Sequence, residues 1–478
     1  AFNADADQVT VDSMVFANLT SIDASGSADS VSGGINHGWA LTDQTNQVVH
    51  NGVTITGAES LSAGNGRLSS SEDDRYAFNA DADQVTVDSM VFANLTSIAA
   101  SGSADSVSGG ANHGWSLTAT ANQVVHNGVT ITGAESLSAG NGRLSSSEDD
   151  RYAFNADATA VTVDSMVFAN LTSITAGGSA DSVSGGINHG WALTDETNQV
   201  VHNGVTITGA ESLSAGNGRL SSSEDDRYAF NADATAVTVD SMVFANLTNI
   251  AASGSADSVS GGINHGWALT DQADQVVHNG VTITGAESLS AGNGRLSSSE
   301  DDRYAFNADA DQVTVDSMVF ANLTSIAASG SADSVSGGAN HGWALTDVEN
   351  QVVHNGTIIT GAESLSAGNG RLSSSEDDRY AFNADATAVT VDSMVFANLT
   401  SITAGGSADS VSGGINHGWA LTDQTNQVIH NGVTITGAES LSAGNGRLSS
   451  SEDDRYAFNA DATAVTVDSM VFANLTSI

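Results

Sequence analysis

The residues best suited to chemistry in this sequence are carboxylates that occur in runs of three. The first two runs are Glu72, Asp73 and Asp74 and, one copy later, Glu148, Asp149 and Asp150. Carboxylate oxygens are preferred ligands of Ca²⁺, and three like charges in one loop repel each other unless a cation screens or binds them. Each run is therefore a candidate Ca²⁺ site. The alternative is a solvated acidic corner, partly neutralised by the adjacent Arg75.

A second acidic segment, residues 3–7, begins like a calcium-binding loop. It lacks the glycine and the distal glutamate of an EF-hand. Its last aspartate is replaced in four of the seven copies, by Thr159, Thr235, Thr387 and Thr463. The runs of three carboxylates are therefore the better candidates for a cation.

Two histidines and two aromatic residues also recur in the repeat. His37 and His50 lack the close spacing of a paired metal-binding motif, and the chain has no cysteine to complete a zinc site. We interpret His37 as a polar turn residue and His50 as a strand-end residue. Trp39 and Tyr76 could stack on sugar rings if they were exposed in a row. We expect them instead to pack on the next coil with only their polar tips in water.

No set of serine, histidine and aspartate residues is recognisable as a catalytic triad in this sequence. An enzyme needs one preorganised site, whereas every copy of the repeat carries nearly the same loops. We therefore predict that the protein is not an enzyme and that it needs no cofactor.

A tandem repeat must position all of these residues. Its register is marked by Tyr76, Tyr152, Tyr228, Tyr304, Tyr380 and Tyr456. The units are residues 1–76, 77–152, 153–228, 229–304, 305–380, 381–456 and a partial 457–478. Self-similarity at a fixed period, here about 76 residues, indicates a repeat architecture. We predict one continuous array over residues 1–478, without separate domains.

Each unit contains two similar halves. Tyr76 corresponds to Trp115 and Phe92 to Ile131, and the next half begins at Tyr152. A half-unit of roughly 38 residues is too short to build its own core, so it must stack on its neighbours.

The apolar residues alternate in short runs. Val9 and Val11 share one face of such a run, and Met14 and Phe16 share one face of the next. This spacing indicates strands, and glycine-rich and asparagine-rich turns separate them. We predict almost no helix and an all-β parallel β-helix. With two coils of roughly 19 residues in each half-unit, one unit would advance the column by ~19 Å.

Differences between copies identify exposed positions. They cluster at residues 43–46, at Asp23 and at residues 7–8, which we assign to exposed corners. One copy is anomalous, because Val53-Thr54 becomes Thr357-Ile358 and the apolar side chain changes place. Either that strand end is not deeply buried, or the local register differs.

The composition excludes several classes of partner. The formal charge is −44, from 56 acidic and 12 basic residues, so nucleic acids and anionic membranes are poor partners. No apolar run is long enough to span a membrane. Proline is absent, as expected where most strands pair on both sides. The sequence begins and ends inside a unit, so we expect a window cut from a longer chain.

Three segments resemble the repeats of large bacterial surface exoproteins. They are residues 27–33 (SADSVSG), 39–42 (WALT) and 52–61 (GVTITGAESL). The closest type is the filamentous-haemagglutinin-like adhesin, which is secreted through a partner pore in the outer membrane. The resemblance implies a right-handed β-helical stalk outside the cell, with adhesion or matrix assembly as its task.

We therefore predict a structural extracellular protein, the stiff fibre or stalk of a bacterial adhesin, cell-surface filament or biofilm matrix. The expected partners are neighbouring repeats or further copies in a fibre, and a surface or matrix polysaccharide is a second candidate. Nucleic acid binding and membrane insertion are not expected. The alternative is an array of tandem β-sandwich modules of about 76 residues that bind Ca²⁺ or polysaccharide.

Overall fold

Every regular element among the described residues is a β-strand. The computed structural model describes residues 1–444 and 446–478, and no helix occurs among them. The prediction of an all-β fold is confirmed. It follows that the described residues contain no helix with the length and hydropathy needed to cross a membrane.

The strands are short and recur with the repeat. The first nine are β1 (Gln8–Val11), β2 (Met14–Ala17), β3 (Ser21–Asp23), β4 (Ser30–Ser32), β5 (Trp39–Leu41), β6 (Gln47–His50), β7 (Val53–Thr56), β8 (Ser60–Ser62) and β9 (Arg67–Ser70). The next ten are β10 (Arg75–Phe78), β11 (Gln84–Val87), β12 (Met90–Ala93), β13 (Ser97–Ala100), β14 (Ser106–Ser108), β15 (Trp115–Leu117), β16 (Gln123–His126), β17 (Val129–Thr132), β18 (Ser136–Ser138) and β19 (Arg143–Ser145). These ten recur in four later repeats, with small differences at their ends, beginning with Arg151–Phe154. The partial last repeat adds three strands, Ala457–Phe458, Ala464–Val467 and Met470–Ala473.

The chain alternates between two facing sheets. Sheet I contains β4, β8, β10, β11, β12, β14 and β18, and sheet II contains β3, β5, β6, β7, β9, β13, β15, β16, β17 and β19. Single strands pair in parallel with strands about one turn away, as where Ser106 of β14 lies beside Ser136 of β18. The fold is therefore a β-solenoid, as predicted.

Three-strand meanders interrupt the simple winding. Strands β10, β11 and β12 pair antiparallel in series, and the meander lies between β8 and β14, with β12 beside β8 and β10 beside β14. Each sheet therefore gains five strands per repeat, an advance of about 24 Å. The predicted coil of roughly 19 residues and the predicted advance of ~19 Å were wrong, because the middle strand of each meander folds back instead of starting a new coil.

The two halves of a repeat exchange sheets. The first half places its meander, β10 to β12, in sheet I, and the second places the equivalent β15 to β17 in sheet II. Each half then adds two single strands, β13 and β14 or β18 and β19. The predicted half-units are thus confirmed as structural equivalents that face each other across the core.

The core is the thin apolar layer between the sheets. Val85, Phe92, Ile98 and Trp115 are all at most 1% exposed, while the residues that alternate with them face solvent. Each large side chain buried in this way contributes about 1.5–3 kcal/mol relative to its exposed state. The period-two pattern read from the sequence therefore assigns the inward face correctly in this repeat. In the first repeat Val11, Met14 and Phe16 are 40–56% exposed, so the prediction fails for these three residues.

The anomalous copy keeps both its burial and its register. Thr357 is 5% exposed and pairs with His354, as Val129 pairs with His126 in the regular copy. Its hydroxyl donates to the carbonyl of Leu323 at 3.2 Å, so the buried oxygen is satisfied. Both explanations expected from the sequence, a shallow strand end and a shifted register, were wrong.

Two compact units together account for the chain. One contains residues 1–223 and 238–249, and the other contains residues 224–237 and 250–478. The same meanders and single strands build each of them. That the whole chain forms one continuous array stays a prediction.

Candidate functional site

The solenoid has two chemically different edges. On the acidic edge the chain passes from sheet II to sheet I, and on the asparagine edge it returns. Residues 76–151 carry eight carboxylates, of which six lie on the acidic edge: Asp88, Asp105, Glu135, Glu148, Asp149 and Asp150. Asp81 and Asp83 lie on the asparagine edge. The negative charge is therefore concentrated along one side of each repeat.

An open groove lies on the acidic edge in four of the repeats. In one copy it has a volume of about 690 Å³ and is lined by Asp43, Glu72, Asp73, Asp74 and Asp88, together with residues of the corner at 101–103. We call it the acidic groove. Equivalent grooves occur in three further repeats, and none of them is lined by an arginine. The candidate Ca²⁺ residues Glu148, Asp149 and Asp150 line one of these.

Asp73 joins two successive turns. Its Oδ1 accepts hydrogen bonds from the backbone N–H groups of Ser103, at 2.6 Å, and Ala104, at 3.0 Å. These donors stabilise the carboxylate, so the pKa of Asp73 lies below its ordinary value. Asp149 makes the same contacts with Ser179 and Ala180. The carboxylate is therefore a structural acceptor for the next corner.

Further carboxylates extend this arrangement into the interior. Asp105 is fully buried and accepts from the N–H groups of Asp74 and Gly102, each at 2.8 Å. Its own N–H donates to Glu135 Oε2 at 2.7 Å. Burial raises the pKa of Asp105, with smaller contributions from nearby carboxylates. Asp105 and Glu135 were not predicted as site residues, although a carboxylate stands directly before these strands in every copy.

A buried pair of oxygens lies beside this network. Tyr76 is 1% exposed, and its hydroxyl has no hydrogen-bond partner; the same holds for Asp74 Oδ2. Burial raises the pKa of both groups. Trp39 is as deeply buried as Tyr76. The prediction that these aromatic residues keep a polar tip in water was wrong.

The candidate cation ligands therefore face different surroundings. Glu72 accepts from the hydroxyl of Ser71 at 3.3 Å, and Asp73 accepts from the backbone as described. One oxygen of the Asp74 carboxylate is buried and unpartnered, while the backbone N–H of Asp74 donates to Asp105. Within residues 1–444 and 446–478, no group of three or more histidine, aspartate or glutamate residues is arranged to hold a metal ion. Ca²⁺ binding at these residues stays a prediction.

The recurring buried histidine is a structural residue. Nε2 of His126 accepts from Gly110 N–H at 2.8 Å, and Nδ1 lies 2.9 Å from the carbonyl of Gly114, to which it donates in the neutral tautomer. The ring stacks on Trp115 with centroids 4.2 Å apart. Burial lowers the pKa of His126. The predicted strand-end position is confirmed, because β16 ends at this residue, and both ring nitrogens already have backbone partners.

The arginines begin strands at both edges of the solenoid. Arg67 begins β9 at the asparagine edge, and Arg75 begins β10 with its side chain outward. Across the described part of the chain, eleven of the twelve arginines (12 − 1, Arg447 excepted) form no guanidinium hydrogen bond or ion pair. Arg75 therefore makes no ion pair with the acidic run that precedes it.

Comparisons with known proteins leave the family open. No protein-family model matches the chain, and no match was found among curated proteins or solved structures. The repeated β-solenoid is thus the part of the adhesin resemblance that the structure supports.

Proposed function

We propose that the protein is a structural one, the stiff shaft of an extracellular bacterial adhesin, cell-surface filament or biofilm-matrix fibre. One observation carries the proposal: strands pair across the boundary between repeats. Strand β12 pairs with β8, and β13 pairs with β9, although the repeat boundary lies between them. Neighbouring repeats are therefore joined by backbone hydrogen bonds rather than by a linker.

This pairing gives the shaft a mechanical role. Bending or separating two repeats must break ladder hydrogen bonds in both sheets and expose core residues such as Phe92. A flexible linker would bend without breaking ladder hydrogen bonds or exposing core residues. Repetition of the same corners and grooves in successive copies suits a spacer, whose length is set by the number of repeats.

The alternative of separate β-sandwich modules conflicts with the same pairing. A self-contained module of about 76 residues would complete its sheets within its own sequence. Here each repeat supplies strands to its neighbour. The bacterial and extracellular parts of the proposal rest on the sequence resemblance, and immunolabelling of intact source cells tests them.

The shaft is tested by changing the number of repeats. Deleting residues 77–152, and then also 153–228, should shorten the particle in electron micrographs by about 24 Å per step. Deleting residues 115–190, the same length in another phase, is the matched control and should shorten it equally. Compact particles whose longest dimension does not change with repeat number would refute the proposal.

A further inference from the structure

We propose that copies of this chain associate side by side, with the arginine row of one copy docking into the acidic grooves of the next. The arginine row comprises the residues that begin β9 and its counterparts: Arg67, Arg143, Arg219, Arg295, Arg371 and Arg447. The occupant of the acidic groove is thus a second copy. This goes beyond the shaft function, which a single chain could perform.

The fold keeps this row away from the carboxylates of the acidic edge. Arg67 starts its strand at the asparagine edge, and Glu72 follows the far end of that strand. The four residues of β9 separate the two edges by about 13 Å. Arg67, Arg143 and Arg219 have no guanidinium partner in the described structure. They are charged groups held outward and available to an external acceptor.

The acidic groove has the complementary chemistry. Five carboxylates line the copy at Asp43, and its polar walls open to solvent. A guanidinium can bind a carboxylate through two parallel hydrogen bonds, an interaction stronger than that between neutral groups. Docking would also relieve the mutual repulsion of the groove carboxylates.

The row and the grooves share one spacing. From Arg67 to Arg143 the ladder of sheet II runs through β9, β13, β17, β16, β15 and β19, which is five steps or about 24 Å. The grooves at Glu72 and Glu148 recur with the same period as the arginines. One correctly aligned contact therefore aligns the others, and linked weak contacts give a high combined affinity.

The geometry also specifies the type of assembly. The arginine row and the grooves lie on opposite edges, so the two mating surfaces are different and each copy retains one of each. Such a heterologous contact does not close on itself and generates an open assembly. The expected product is a ribbon of parallel shafts rather than a dimer.

Ionic strength separates the local attraction from the overall repulsion. Each copy carries a formal charge of −44, which opposes association in dilute salt, where the screening length is about 30 Å. At 0.15 M salt the length is about 8 Å, so the distant charges are screened while contacts persist. Association should therefore be strongest near 0.15 M NaCl and weaker at both 0.01 M and 1 M.

Sedimentation velocity of the full chain at 0.15 M NaCl with EDTA tests the contact. Replacing all six arginines of the row by glutamine should weaken association at least tenfold. The matched control replaces Arg75, Arg151, Arg227, Arg303, Arg379 and Arg455 by glutamine, with the same change in charge. It should associate like the unmodified chain. Equal loss in both variants, or an unmodified chain that stays monomeric at every concentration, would overturn the proposal.

A charge exchange gives a second, independent readout. The Arg67→Glu row alone and the Glu72→Arg row alone should each abolish association, and the two rows combined should restore it. Failure of the combined variant to associate, or association only with an added anionic polysaccharide, would refute docking between copies. Particle length in micrographs should be unchanged in all variants, which separates this result from failure of the shaft function.

Discussion

At the scale of single residues, the acidic side chains serve the backbone. In a solenoid the corners leave N–H groups that no strand can accept, and an unpaired buried N–H costs about 1–3 kcal/mol. Asp73 and Asp105 accept such groups from neighbouring corners, and Glu135 accepts the N–H of Asp105. Several of the carboxylates that suggested ion binding therefore have a structural role as hydrogen-bond acceptors.

The buried histidines make stability depend on pH. Burial holds the pKa of His126 and its five counterparts below the ordinary value of 6.5, so the folded state favours the neutral ring. Their contribution is complete above pH 6.5 and is lost as the pH falls through the folded pKa. The urea midpoint should therefore fall steadily from pH 7.5 to pH 5.5.

The half-buried histidines provide the comparison. Replacing His37 and its counterparts by asparagine should leave most of this pH dependence in place, because His37 is the smallest of the causes that act on the pKa of His50. Asp105 and its counterparts act in the opposite sense at lower pH, because their raised pKa adds stability as they become protonated. A midpoint that stays constant between pH 7.5 and pH 5.5 would contradict the structural role of the buried rings.

At the scale of elements, the sequence predicts strands better than their order. Alternation at Val85 and Phe92 indicates strands that the structure confirms. The meander was missed although Asn127-Gly128 is a two-residue turn between alternating strands, the strongest short-range hairpin signal. Both residues have positive φ, 44° and 82°. The candidate site was predicted only in part. The partners of Asp73 lie in the next turn of the solenoid, and a local sequence pattern does not identify them.

Substitutions at two glycines separate the effect of close approach between turns from the effect of backbone strain. A Cβ at Gly140 would collide with the carbonyl oxygen of Gly110 in the adjacent turn, whereas a Cβ at Gly128 would meet open space. Gly140→Ala should cost about 3 kcal/mol through overpacking. Gly128→Ala, the control, should cost about 1 kcal/mol, from its positive φ alone. Urea denaturation measures both; equal costs would show that the turns are not in close contact.

At the scale of the whole molecule, charge is segregated rather than balanced. Six of the eight carboxylates in residues 76–151 share one edge, and Arg143 begins its strand at the opposite edge. Lowering the screening length from about 30 Å to about 8 Å should weaken repulsion along this edge. The urea midpoint should therefore rise between 0.01 M and 0.15 M NaCl.

The identity of the cation decides between screening and binding. KCl should have the same effect as NaCl if repulsion alone is relieved. A much larger rise with CaCl₂ at equal ionic strength would indicate a specific site at Glu72 and its neighbours. No change with any salt would contradict the proposed repulsion along the acidic edge.

The meanders impose an order on assembly. Strand β12 lies between β8 and β11, although it is synthesised after both. During synthesis, β10 and β11 cannot join the folded part of the solenoid until β12 has been made and has paired with β8. Growth of the folded end must therefore proceed in discrete advances of several strands. Between advances, an unfinished hairpin projects from the tip.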